Sequence, residues 1–153
     1  MRVLAFAFLW TALTCGAVST ESTPEKAWKI TLTSAGGLAG RGNGSWMIDS
    51  AGALQVTTIA GKTCAFQATN EEVAQFSKLL AAAKRKEWKA SYEPASPCCD
   101  RFEYDLTIEE GGVTTTTHWI VSAESMPADL VALAEALVDG AENVRSKYGP
   151  QCQ

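Results

Sequence analysis

Phe102, Tyr104, Leu106 and Ile108 alternate with Glu103, Asp105 and Thr107, and Glu110-Gly111-Gly112 then turns the chain into a second extended stretch, Val113 to Val121. A period of two marks a strand with one buried face, and a glycine pair between two such runs closes a hairpin. The second strand holds Thr114 to Thr117, whose β-branched side chains suit a pleated surface, and is expected to end with Trp119 and Val121 facing inward. A hairpin with one apolar face is not stable alone, so the rest of the chain must extend its sheet and cover that face.

The remaining segments supply both. Trp28, Ile30 and Leu32 alternate with Lys29 and Thr31, predicting an edge or meander strand. The run from Ala35 to Gly44 holds five glycines in ten residues and reads as a loop. Ser45 to Asp49, the turn Ser50-Ala51-Gly52, and Ala53 to Ile59 form a second hairpin, with Leu54, Val56 and Thr58 on one face; Thr63 to Ala68 adds a strand bearing Cys64 and Phe66 on one side. Thr69 with Glu72 three residues on is a capping box, and Val73, Phe76, Leu79, Leu80 and Ala83 follow at helical spacing. Lys84-Arg85-Lys86 then falls in the last turns of that helix, where cations offset its dipole. Ser91 to Asp100 is a proline-punctuated loop, and Pro127 opens a second helix with Leu130, Leu133, Leu137 and Ala141 as its stripe and Gly140 as an expected interruption. The fold class is α+β: an antiparallel sheet of about five to six strands with two helices packed on one face.

Upstream, Met1-Arg2, the apolar run Val3 to Leu13 and the small-residue exit Cys15-Gly16-Ala17-Val18-Ser19 have the layout of a signal peptide, cut after Ala17 or Ser19. The organisation expected is therefore a signal peptide over residues 1–19, a flexible polar arm over 20–26 and a single disulfide-containing domain over 27–153, secreted or periplasmic. The leader's apolar core of about ten residues falls short of the roughly 20 needed to span a bilayer, and no later segment is longer, so no integral membrane span is expected. Thr14 before Cys15, in place of a small residue, argues against a lipid anchor.

Thirteen basic against 17 acidic residues give a net charge of −4, and loss of Arg2 with the leader makes it −5. With both signs interspersed, nucleic acid is excluded as a partner. At 46% hydrophobic with five tryptophans, the chain can bury an ordinary core as a monomer. After cleavage Cys64, Cys98, Cys99 and Cys152 remain, an even number in an oxidising compartment. Adjacent cysteines rarely bridge each other, so Cys98 and Cys99 are expected to pair separately with Cys64 and Cys152, Cys64 with Cys98 being favoured. No Cys-x-x-Cys pair supports a metal site.

Catalytic residues are not expected. His118 is the sole imidazole and sits in a threonine-rich strand, where an exposed cross-strand pair with Glu103 or Asp105 accounts for it. The neighbouring carboxylates Glu71 and Glu72, and Glu109 and Glu110, have capping or turn roles. The glycine-rich run is followed by a strand and lacks a Gly-Lys-Ser or Gly-Lys-Thr ending, which removes a phosphate-binding role; no cofactor is implied. Asn43-Gly44-Ser45 is a formal glycosylation acceptor and marks exposure.

Trp28 to Gly40, Trp-Lys-Ile-Thr-Leu-Thr-Ser-Ala-Gly-Gly-Leu-Ala-Gly, resembles the opening strand and Ser-Gly-Gly-Phe-Ala-Gly loop of emfourin, a small proteinaceous inhibitor of thermolysin-like (protealysin) metalloproteases. The Ile48 to Gly52 turn and the Pro127 to Leu137 helix match more loosely. Leu38 stands where the family often has Phe, Ala35 is an extra residue, and the leader and mature cysteines depart from the plainer family pattern. The resemblance implies a protein-binding domain that inhibits a secreted metalloprotease, with Gly36, Gly37, Leu38, Arg41 and Asn43 as candidate contacts. The alternative is an extracytoplasmic structural or envelope module with no protease target and no catalytic activity.

Overall fold

A computed structural model describes residues 26–37, 42, 44–96, 100–148 and 152. The expected signal peptide and most of the expected polar arm lie outside this set. Seven strands, β1 (Trp28–Gly36), β2 (Gly44–Asp49), β3 (Ala53–Thr57), β4 (Thr63–Gln67), β5 (Ser91–Tyr92), β6 (Phe102–Glu110) and β7 (Val113–Ile120), form one sheet in the order β4-β3-β2-β1-β6-β7-β5. Two helices, α1 (Asn70–Ala82) and α2 (Ala128–Tyr148), cover one face. The α+β class and the two helices agree with expectation; the sheet differs in being mixed and seven-stranded, because Ser91 and Tyr92, read as loop, pair in parallel with His118 and Trp119.

The first strand also differs. β1 runs through Ala35 and Gly36 and lies at the centre of the sheet, paired with β2 over Lys29 to Ser34 and with β6 over Trp28 to Gly36. It joins the two predicted hairpins, which form as expected with Gly111 and Gly112 both at positive φ in the second turn. One consequence of the register is that Leu32, Trp46, Val56 and Leu106 fall in a single row on the covered face, and Ile30, Ile48, Leu54 and Ile108 in the next. Against these rows pack Phe76 and Leu80 of α1 and Leu130, Leu133 and Leu137 of α2. The opposite face carries Thr31, Thr33, Thr57, Thr107, Thr114 and Thr116, so the period-two pattern resolves into an apolar and a polar side.

The capping box at the start of α1 is present, with Thr69 N–H donating to Glu72 Oε2 at 2.7 Å and Glu72 N–H to Thr69 Oγ1 at 3.2 Å. At its other end α1 stops at Ala82, two residues before the basic triplet. Lys84 precedes a separate 3₁₀ turn, Arg85–Glu87, so these cations do not sit in the helix's last turn as expected; Arg85 instead pairs with Glu110. Lys84 N–H and the Trp88 indole both donate to Asp129 Oδ2, at 2.7 and 3.0 Å, tying this turn to the first turn of α2. Gly140 does not interrupt α2, which is continuous across it.

The cysteine pairing is corrected. Cys64 bonds to Cys152, with Cα atoms 5.8 Å apart, in place of the expected links of Cys64 with Cys98 or Cys99 and of Cys152 with the other. Cys64 lies in β4, an end strand of the described sheet, and so is open to a segment distant in sequence. Cys98 and Cys99 themselves lie outside the described residues.

Candidate functional site

At one end of the sheet β1 hands over to β2 through the glycine-rich loop. Its base is closed by main-chain bonds: Gly42 N–H donates to Gly36 O at 2.8 Å and Gly37 N–H to Arg101 O at 3.0 Å. Gly36 and Gly44 have φ of +79° and +87°, and a Cβ on them would lie 2.2 Å from Arg101 O and 2.0 Å from Thr57 O. Neither position admits another residue, since both the backbone region and the space exclude a side chain. The strands therefore approach each other closely where the loop leaves the sheet, and its root is fixed on both sides.

Of the five candidate contacts, Gly36 and Gly37 belong to this root. Leu38, Arg41 and Asn43 lie outside the described residues. Three other connections emerge at the same end: residues 58–62, 93–101 and 121–127. Val121 N–H donates to Phe102 O at 2.9 Å, and the Phe102 ring lies beside Gly37, so the 121–127 segment adjoins the loop root. Val121 itself, expected inward, lies one residue past the end of β7 and is 39% exposed.

Sequence periodicity gave no sign of a second feature here, a hollow between residues 121–126 and α2. Its floor is Trp119 and Tyr104, stacked at 5.3 Å with 16° between their planes, and its walls include Met126, Val131 and Val138. The signal that could have found it is the coincidence of Val121 and Val138, both large apolar side chains placed where polar ones are usual.

The polar groups considered for chemistry are otherwise engaged. His118 Nδ1 lies 3.0 Å from Asp105 Oδ1 in direct cross-strand register on the open face, the pair expected of it. Glu109 pairs with Lys29 at 2.6 Å, Glu110 with Arg85, and Glu72 caps α1. Among the described residues no group of three or more His, Cys, Asp or Glu is placed to hold a metal ion, and no helix is long and apolar enough to cross a membrane. Asp129 titrates below its ordinary value. Partial burial pushes its pKa up, but the bonds from Lys84 N–H, the Trp88 indole and the N–H groups of Asp129 and Leu130 outweigh this and hold it below the ordinary value.

The family model for emfourin matches residues 59–138, a stretch of 80 of the 153 residues, and the chain belongs to that family. The match runs from the turn before β4 to the middle of α2, and so takes in α1, the β6–β7 hairpin, the first half of α2 and the lining of the hollow except Asp139. It leaves out Trp28 to Gly40, on which the sequence resemblance rested. Comparison with curated proteins and with solved structures found no match.

Proposed function

We propose that this emfourin-family chain is a secreted or periplasmic inhibitor of a thermolysin-like metalloprotease, and that it engages the enzyme with the glycine-loop end of its sheet. The family assignment over residues 59–138 carries the reading, since emfourins are protease inhibitors. The physical support is preorganisation. An inhibitor that must order a loop on docking loses affinity, whereas a loop whose root is fixed by Gly36, Gly37, Gly42 and Gly44 starts with part of that entropy already removed. Leu38, Arg41 and Asn43 are the side chains this root would present. Arg41, flanked by Gly40 and Gly42, offers a planar guanidinium to carboxylate or carbonyl oxygens of the partner.

The test is to mix the purified mature protein with several thermolysin-type proteases and follow peptide cleavage. Stoichiometric loss of protease activity is expected with at least one of them. Full activity of every enzyme at micromolar protein overturns the reading.

A further inference from the structure

We propose that the hollow between Val121 and Val138 receives an apolar side chain of the protein partner, presented next to a lysine or arginine. Its volume of about 320 Å³ lies at the lower end of the range for ligand sites, the size for one large side chain. Among the described residues four large apolar side chains are left exposed, Ile59, Val113, Val121 and Val138, and two of them stand at this one concavity. Isolated exposed apolar residues are ordinary; two converging on an aromatic floor mark a contact surface.

Charge names the neighbour of the incoming side chain. Glu135 and Asp139 line the hollow from α2, and among the described residues no lysine or arginine does. Glu124 lies on the adjoining segment, where its N–H donates to Glu93 O at 3.4 Å. Arg101 is engaged at Val121, its guanidinium donating to Val121 O at 3.4 Å. An apolar group entering here meets an acidic rim, which favours a cation beside it and disfavours a carboxylate.

The wall is also held in shape. Ser122 and Ser125 have φ of +71° and +61°, a region that residues other than glycine seldom occupy and that persists only where the surroundings impose it. Bonds from Val121 N–H to Phe102 O and from Ala123 N–H to Ile120 O do so here, at 2.9 and 2.8 Å. Because Phe102 also borders Gly37, the hollow and the glycine loop form adjoining parts of one surface. The identity of the partner as a protease rests on the inhibitor reading; the hollow and the chemistry it selects do not.

The experiment separates the two. Uniformly ¹⁵N-labelled mature protein is titrated with N-acetyl-Lys-Leu-Lys-amide and, in parallel, with N-acetyl-Glu-Leu-Glu-amide, and amide shifts are followed by NMR. Saturable shifts at Val121, Ala123, Met126 and Val138, none at Val113, and binding at least about fivefold weaker for the acidic peptide are expected. No response, an equal response to both peptides, or shifts at these residues that grow with protein concentration alone, as from a second copy, overturns the proposal. Val138→Arg should then weaken inhibition of a sensitive protease by about tenfold or more, with Val113→Arg at the far end of the sheet unchanged. Inhibition that survives Val138→Arg, together with a silent titration, removes the hollow and leaves the inhibitor reading standing. A peptide response without inhibition of any protease does the reverse.

Discussion

The two ends of the sheet are held by different chemistry. At the end opposite the glycine loop, side chains bind the turns: Asp49 Oδ1 accepts from Ala51 and Ala53 N–H at 2.9 Å each, Gln67 Nε2 donates to Ala51 O at 3.1 Å, Thr69 and Glu72 cap α1, and Arg85 pairs with Glu110. At the loop end the bonds named are mostly main chain to main chain, glycines permit the close approaches, and the Cys64–Cys152 disulfide lies beside the 58–62 turn. Short connections with Asx and capping chemistry need no surface left over. At the loop end the side-chain bonds among the described residues are fewer, Lys62 N–H to Thr58 Oγ1 and Arg101 to Val121 O among them, and backbone bonds and the disulfide do more of the holding.

If that contrast is correct, the largest loss should come from the covalent link. Replacing Cys64 and Cys152 with serine opens a closure of 88 residues in sequence separation, which the chain-entropy model values at about 4.5 kcal/mol. Urea denaturation of the double variant should show a loss of that order; a change below about 1 kcal/mol would mean that the loop end does not depend on it. Gly44→Ala comes next. Its Cβ would clash with Thr57 O at a positive φ, and a loss of about 2 kcal/mol or more is expected in the same measurement. A neutral result would show that the root can rearrange.

Asp129→Ala removes two hydrogen bonds to a charged acceptor and should cost about 1 to 2 kcal/mol at neutral pH. Because the folded carboxyl titrates below its ordinary value of 3.8, its contribution is complete above that value and is lost as pH falls through the lower folded one. The gap between wild type and variant should therefore close between about pH 4 and more acid conditions, which denaturation at stepped pH will detect. Thr69→Ala, which breaks the capping box at the polar end, should cost about 1 kcal/mol. Smallest of all on stability is Arg41→Ala, expected within about 0.5 kcal/mol, although binding to an inhibited protease should weaken by about thirtyfold. Unchanged affinity would take Arg41 out of the contact surface.

Local signals proved dependable. The alternation of Phe102 to Ile108, the Gly111-Gly112 turn and the Thr69–Glu72 box each involve neighbours in sequence, and each appears where expected. What failed to show in sequence was set by strand order. β1 was expected as an edge or meander strand, and its second neighbour β6 went unseen because alternation reports a buried face and says nothing of how many strands flank it. β5 has two residues and pairs in parallel, a contact no turn signal announces. Cys64 and Cys152 meet across a sequence separation of 88, a contact that spacing along the chain does not encode. Val121 was expected on the inward strand face and Val138 lay outside the expected helix stripe, and only the crossing of α2 over the sheet brings them to one hollow.

Gly140 bears on that crossing. A helix lying on an apolar sheet can slip by one turn, about 5.4 Å, and exchange one leucine for another at little loss. Here the slide is keyed. A Cβ at 140 would stand 2.9 Å from the Trp46 ring, so the indole fits the helix at the single position where no side chain protrudes. The tryptophan acts as a pawl in that notch, indexing α2 along its axis. A glycine that contributes nothing to helix propensity thereby sets how far Val138 reaches over the aromatic floor and where the chain arrives to meet Cys64.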